Sequence, residues 1–358
     1  MKTPNPLKTL VVGCGHMGSS HARAYAELPD FQIVGLVSRG ESSRNSLAQA
    51  LGLPGLPLFA DYTEALRETR PDVVCVATYP ETHADFAIQA MRAGAHVFLE
   101  KPIATSVHDA QKVVAVAGET GRKLVVGYIL RHHPSWQKFI EIARTLGKPL
   151  VMRMNLNQQS SGHEWEVHRN LIAALPPMVD CGVHYVDVMC QMTRSKPVRV
   201  RGISANLAPD VLPGSPNYGQ LQVAFADGSV GWYEAGWGPM MSEEAYFIKD
   251  VIGPLGSVSM VASRDGTTSD DVESHTKTST LRIHHSELAP DGTFLRKDVF
   301  LDTSDEPTHD ELCRHEQEFL LRAIREELPL DEHLVDAVHS LQIVLDAQKD
   351  ADEQNPTA

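Results

Sequence analysis

Up to about residue 127, short apolar runs alternate with stretches whose apolar positions repeat at helical spacing. Near-continuous runs at Leu10–Val12, Ile33–Val37, Val73–Ala77, His96–Leu99 and Leu124–Val126 read as strands. Helical patterns at 17–28, 42–51, 62–68, 82–93 and 106–120 lie between and after them. Strands that are apolar on both faces, each followed by a helix, predict a doubly wound parallel sheet covered on both sides. After about residue 150 the period drops to two. "LQVAFADGSVGWYEAG" (221–236) alternates, passes through Asp227-Gly228 and alternates again, which predicts a hairpin. "FIKDVIGPLGSVSMV" and "LRIHHSELAPDGTFLRKDVF" read as further antiparallel pairs, and amphipathic helices at 309–327 and 331–348 close the pattern. The fold class is therefore an α/β domain (1–127) followed by an α+β domain with a mainly antiparallel sheet (128–350). Segments 207–219 and 262–280 read as loops or disorder, as does the tail from 351 to 358.

The chain has 358 residues, more than one ordinary core, which agrees with two domains. Its net charge of −14 has no basic block to offset it, so a polyanion such as DNA is a poor partner. No run approaches the ~20 apolar residues of a membrane span, and "MKTPNPLK" has no signal-type core; the expectation is a cytoplasmic protein with no membrane partner. The five cysteines (14, 75, 181, 190, 313) form no Cys-x-x-Cys pair and read as small buried residues. The histidine-rich pieces lack the spacing of zinc ligands, so no metal is expected.

"LVVGCGHMGSSHARAY" places Gly13-x-Gly15-x-x-Gly18 after a strand and before a helix. In that setting the spacing is a dinucleotide fingerprint. Gly13 permits the tight turn, Gly15 lets a pyrophosphate approach the backbone, and Gly18 lets helix and strand pack closely. The phosphates sit at the positive end of the helix, and His16 and Met17 belong to the same cofactor-binding loop. An NAD site wants an acid about 20 residues further on. "GLVSRG" offers Ser38 and Arg39 there, a hydroxyl and a guanidinium suited to a 2′-phosphate. NADP is therefore favoured, and NAD remains open. "HVFLEKPIA" ends a buried strand on Glu100 and Lys101 and fixes the backbone with Pro102. At the carboxyl end of a parallel strand both side chains are expected to project toward the ligand crevice. Oxidising an alcohol needs a base for the hydroxyl proton, and a partly buried lysine can serve. Glu100 either orients that amine or contacts the cofactor.

"MVDCGVHYVDVMCQM" carries Asp180, His184, Asp187 and Gln191 at i, i+4, i+7 and i+11, one polar stripe on an apolar helix. That stripe faces either water or a cleft. Tyr128 and Arg131, and Trp165, His168 and Arg169 in "HEWEVHRN", offer an aromatic face beside hydrogen-bonding groups, as a sugar surface does.

The sequence resembles the glucose-fructose oxidoreductase / inositol dehydrogenase family (Gfo/Idh/MocA). The resemblance rests on "GCGHMG", "VATYPETHADFAIQAMRAGAHVFLEKPIA", "VGYILRHHP" and "MVDCGVHYVDV". It implies a Rossmann domain followed by an α+β domain whose large open sheet mediates a homodimer or homotetramer. It implies that Lys101 is catalytic and is assisted by His184 and Asp180. It also implies that Thr78, Tyr79, Pro80 and His83 flank the nicotinamide, and it points to a small carbohydrate or polyol substrate. The chain departs from the family pattern at Pro176-Pro177, where Gly-Gly is usual, and at Tyr79-Pro80, where Pro-Asn is common after the threonine. The expected activity is hydride transfer to or from a sugar, cyclitol or sugar derivative. A glycosidase that keeps its nicotinamide bound and a non-catalytic nicotinamide sensor are the alternatives.

Overall fold

The computed structural model describes residues 5–211, 214–241, 248–261 and 280–354. They form two compact units. The first comprises the chain up to Ile129 together with Pro307–Val338; the second comprises Leu130–Glu306 together with the chain from His339.

In the first unit β1 (Leu7–Val12), β2 (Phe31–Val37), β3 (Leu58–Phe59), β4 (Val73–Val76), β5 (His96–Glu100) and β6 (Leu124–Gly127) form one sheet in the order β3-β2-β1-β4-β5-β6. Every pair is parallel. The helices α1 (His16–Glu27), α2 (Glu41–Ala50), α3 (Tyr62–Thr69), α4 (His83–Arg92) and α5 (Val107–Thr120) connect the strands. This is the doubly wound arrangement, and the strand order reverses between β1 and β4. Ligands bind such sheets outside the carboxyl ends of the strands at that reversal. The apolar runs form strands because both faces are buried: Val11, Val74, Cys75, Phe98 and Val125 are all inaccessible to solvent.

The second unit holds α6 (Pro134–Thr145), β7 (Val151–Gln159), α7 (Gly162–Ala174), α8 (Pro177–Asp180), α9 (Gly182–Thr193), β8 (Pro197–Ala205), β9 (Tyr218–Phe225), β10 (Val230–Gly238), β11 (Lys249–Gly253), β12 (Gly256–Val261), β13 (Thr280–His285) and β14 (Val299–Asp302). The eight strands run in the order β14-β13-β12-β11-β7-β10-β9-β8, antiparallel except for the β7–β10 pair. The expected hairpin is β9–β10, with Gly228 at φ +84° in its turn. Helices α6, α8 and α9 cover one face of this sheet. Gly182 is needed there, because a Cβ would lie 3.1 Å from Val344 and 3.3 Å from Tyr233.

Two features differ from the sequence expectation. The domain boundary expected after residue 127 falls after 129, and residues 307–338 return to the first unit. Helix α10 (His309–Arg325) packs on α1, and Leu320 and Ala323 join the core of Val11, Tyr25 and Cys75. An amphipathic helix announces that it needs a core but not which one. Helix α11 (Asp331–Gln354) also runs four residues into the tail expected to be disordered; residues 355–358, like 262–279, lie outside the described residues. Among the described residues no single helix is long and apolar enough to cross a membrane.

Candidate active site

The glycines of the first loop divide by what they avoid. Gly13 has φ +104°, and a Cβ there would lie 2.1 Å from the Ala77 carbonyl oxygen. At Gly18 a Cβ would lie 2.0 Å from the Gly13 carbonyl oxygen. The protein itself therefore demands both. Gly15 is different: its φ is −81°, and a Cβ would meet no described atom within 4 Å. No described part of the protein requires its smallness. Gly15 is the N-cap of α1, no side chain caps that end, and no acid stands in the first turn. Open N–H groups, a helix N-terminus and a bare backbone suit an anionic group such as a pyrophosphate. His16 is exposed and Met17 half-buried on the same turn.

Beyond β2, Ser38 Oγ lies 3.2 Å from Ser43 Oγ, and Arg39 is exposed. Arg44, in the first turns of α2, donates through Nη1 to the carbonyls of Ser38 and Arg39. Ser43 and Arg44 were not singled out in the sequence. The signal for them was the repeat Ser38-Arg39 and Ser43-Arg44, which a helix start folds onto one corner.

After β4, Thr78 Oγ1 and Thr82 Oγ1 share a 2.7 Å hydrogen bond, Pro80 opens a short 3₁₀ turn, and Tyr79 is 62% exposed. His83 is buried, with Nδ1 2.7 Å from the Pro102 carbonyl oxygen and Nε2 3.0 Å from that of Thr78. Burial lowers its pKa, while the two carbonyls oppose that shift. His83 thus joins the Thr78 strip to the turn after β5 rather than standing open to a ligand.

Glu100 and Lys101 part company. Strand side chains alternate, so Glu100 faces the side that Phe98 faces. Both touch His21 of α1: the Phe98 ring centroid lies 4.6 Å from that of the imidazole, and Glu100 Oε1 lies 2.6 Å from Nε2. Glu100 is 6% exposed, so its carboxylate turns into the unit, contrary to the expectation that it projects with Lys101. Lys101 is half-buried, and its bond to Pro102 is cis.

In the second unit the polar stripe lies at a break. Asp180 ends α8, His184 sits in the first turn of α9, and Cys181 joins the two short helices. Asp180 and His184 are half-buried. Asp187 and Gln191, one and two turns on, are buried rather than in water. Arg131 meets Asp187 through two hydrogen bonds, Nε to Oδ2 at 2.8 Å and Nη2 to Oδ1 at 2.5 Å, and Gln191 Nε2 adds a third at 3.0 Å. Arg131, expected to face substrate, is engaged in holding α9. Removing one partner of a buried pair leaves the other charge uncompensated, at a cost of about 3–5 kcal/mol. Asp187→Asn is therefore expected to lower the stability of the second unit by about that amount. Urea denaturation followed by tryptophan fluorescence measures it, and an unchanged midpoint would contradict the structural reading of Arg131.

The other sugar-surface candidates lie around α7. His168 stacks on Trp237 at 4.7 Å, and its Nδ1 lies 2.9 Å from Ser160 Oγ. Burial pushes its pKa down to about 4, against the charge of nearby Asp180. It is neutral near pH 7. Trp165 Nε1 and Arg169 Nη1 both donate to Asp210 Oδ2 at 3.0 Å. Tyr128, in the first unit, is fully buried.

Comparison with known proteins agrees with this architecture. Residues 7–128 match the model of the Gfo/Idh/MocA oxidoreductase family with its NAD-binding Rossmann fold, and residues 140–259 match the family's C-terminal domain. An inositol 2-dehydrogenase from Saccharopolyspora erythraea is 32% identical over 186 residues, 50% of this chain and 51% of that protein. The chain thus spans about half the length of the curated relatives it matches. The solved UDP-N-acetylglucosamine 3-dehydrogenase of Acidithiobacillus ferrooxidans superposes with a TM-score of 0.75 at 21% identity, covering 97% of this chain and 98% of that one. A Synechocystis biliverdin reductase, solved with biliverdin and NADP⁺, superposes with a TM-score of 0.76 at 17% identity, covering 96% of this chain and 99% of that one. With both of its domains matched, the chain belongs to the Gfo/Idh/MocA oxidoreductase family.

Proposed function

We propose that the protein is an NADP-favouring, NAD(P)-dependent dehydrogenase or reductase that acts on the CH–OH group of a sugar, cyclitol or sugar derivative. The observation that carries this reading is in the first unit. An uncapped helix N-terminus with an idle glycine, Gly15, follows β1, which lies in one parallel sheet with β5, the strand whose end presents Lys101. When bound, nicotinamide supplies the hydride acceptor or donor. The residues to hold the dinucleotide are Gly13, Gly15, His16, Met17 and Gly18 at the pyrophosphate, Ser38, Arg39 and Arg44 at the ribose, and Thr78, Tyr79 and Pro80 along the ring. Lys101 takes the hydroxyl proton in oxidation and returns it in reduction; His184 and Asp180 assist as hydrogen-bonding partners of the substrate. The dehydrogenases among the relatives are named for inositol and for a nucleotide sugar, which supports the substrate class; Trp165 and His168 are buried and Arg169 is paired with Asp210, so these three add no support to it. Absorbance of reduced nicotinamide over a panel of polyols and sugar nucleotides tests the activity; no turnover with either cofactor would overturn it.

Cofactor choice is separately testable. Arg39 is free to meet a 2′-phosphate, and Arg44 braces the loop that presents it. Arg39→Ala is expected to lower kcat/KM for NADP by about 10- to 100-fold, the loss of a charge-assisted bidentate contact, and to leave NAD nearly unchanged. Equal losses with both cofactors would place Arg39 outside the ribose site.

The second-unit sheet supports a homodimer or homotetramer. Val230, Val151 and Ile252 lie in register across β10, β7 and β11, each about 40% exposed, beside a groove of about 470 Å³ lined by Arg199, Arg201 and Trp232. Such a row, on a face that the described residues leave exposed, suits a second copy of the chain. A cytoplasmic location fits the family and the five free cysteines.

A further inference from the structure

Behind the strand end that presents Lys101 lies a buried polar cluster of which only Glu100 has been considered so far. It comprises His21 of α1, Glu100 of β5, and Glu316 and Gln317 of α10. With the Gln317 amide oriented to donate, its Nε2 gives a 3.0 Å hydrogen bond to His21 Nδ1. The imidazole proton is then on Nε2, which donates to Glu100 Oε1 at 2.6 Å. Glu100 Oε2 accepts the backbone N–H of Lys101 at 3.1 Å. On the other side of the lysine, His83 holds the Pro102 carbonyl. The backbone of Lys101 is thus held at both flanks by buried imidazoles, His83 at the Pro102 carbonyl and, through Glu100, His21 of the helix that opens at Gly15.

We propose that His21 and Glu100 form a positioning pair that fixes Lys101 relative to the phosphate-binding helix α1. The pair makes seating of the dinucleotide and placement of the lysine a single event. The proposal rests on the dehydrogenase reading for its kinetic consequences, but not for its geometry.

The surroundings are built for one carboxylate. The neighbouring strand provides Gly127, where a Cβ would lie 3.3 Å from the Glu100 carboxylate and 3.1 Å from Phe98. Glu316 is buried with no hydrogen-bond partner on either oxygen among the described residues; burial first, and the charge of Glu100 second, raise its pKa well above the usual carboxyl range, which favours its neutral form. The thiols of Cys75 and Cys313 are pushed up by burial, and His83 and His309 are pushed down by it, so these groups also face Glu100 uncharged. Glu100 is left to carry the negative charge, and His21 and the Lys101 backbone answer it. The ligand atoms of His21, Cys313 and Glu316 lie within 4.8 Å of one another, yet both imidazole nitrogens are already engaged, so the cluster is a hydrogen-bonded network and not a cation site.

The test uses full-length Glu100→Gln, His21→Ala and His21→Gln. Glu100→Gln keeps the shape and removes the charge. It is expected to bind the cofactor within about threefold of the parent while kcat falls by about 30-fold or more. The acid limb of the pH–kcat profile for oxidation should move, because a lysine whose backbone is no longer held meets different surroundings. Competitive acylation of Lys101, read by mass spectrometry across pH, should show a movement of the same sign without any substrate. His21→Ala should reproduce the kcat loss, and His21→Gln, whose amide can still donate to Glu100, should recover part of it. If His21→Ala does not fold, the isosteric Glu100→Gln carries the test. A cofactor affinity weakened tenfold with kcat intact would make Glu100 a cofactor ligand and overturn the proposal. Unchanged kcat and unchanged Lys101 reactivity in Glu100→Gln would overturn it equally. Parent protein that turns over no polyol sinks the dehydrogenase reading alone, and the acylation profile still decides the pair.

Discussion

Lys101→Ala is expected to lower kcat by about 10³-fold while leaving the dissociation constant for the dinucleotide within a few-fold of the parent. The size follows from the task. Moving a hydride off an alcohol carbon leaves a proton on oxygen that must depart in the same step. A positioned base contributes typically 10²–10⁴-fold to such a transfer. The selectivity follows from the first unit's design. The glycine loop, the Ser38-Arg39 corner and the Thr78 strip belong to the loops after β1, β2 and β4, and Lys101 follows β5. Dinucleotide contacts are therefore spread over three loops that the substitution does not touch. Steady-state rates with the best substrate of the panel, set beside cofactor titration by quenching of tryptophan fluorescence, separate the two effects. Near-parental kcat would remove lysine from the chemistry. A lost affinity at parental kcat would make it a cofactor contact only.

Local spacing made much of this fold legible and left long-range pairing dark. The five apolar runs of the first unit became five strands within a few residues of their expected ends, because strands buried on both faces need no partner to announce themselves. The two-residue β3 is too short for any period to register. Strand β7 carries a readable alternation, Met152, Met154 and Leu156 against Arg153, Asn155 and Asn157, yet it was not singled out. It lies inside the sheet, where even Asn155, Asn157 and Gln158 are buried, so the polar half of the pattern did not mark a solvent face. The glycine fingerprint was legible because its three demands arise within six residues. The buried pair of His21 and Glu100 was not, because its members stand 79 positions apart and Gln317 stands 296 from His21. The same holds for Arg131 and Asp187, 56 apart. An arginine beside an aromatic invites a substrate role in sequence; the fold brings it a carboxylate that composition alone cannot assign.

Two alanine substitutions three residues apart, Gly15→Ala and Gly18→Ala, are expected to fail in opposite ways. At Gly18 a Cβ would stand 2.0 Å from the Gly13 carbonyl oxygen and 2.8 Å from its carbon. Those are backbone atoms that cannot swing aside, so α1 must shift away from the turn that follows β1. Overpacking of this kind costs about 1–3 kcal/mol, and here the first unit's core of Ala22, Tyr25 and Leu36 moves with the helix. Gly18→Ala should therefore lower the melting temperature and weaken dinucleotide binding together. At Gly15 the backbone is already in a region open to alanine, and the Cβ would enter empty space. Stability should be unchanged to within about 0.5 kcal/mol, the usual range for a substitution that touches nothing. Yet the new methyl would occupy the approach to the open N–H groups of α1, so affinity for the dinucleotide should fall by about tenfold or more. Thermal melts with and without saturating cofactor read both quantities in one experiment. The parent should gain melting temperature on adding cofactor, and Gly15→Ala should start at the same temperature and gain little. If Gly15→Ala binds as tightly as the parent, the phosphates do not rest on this loop, and the first unit's glycines serve packing alone.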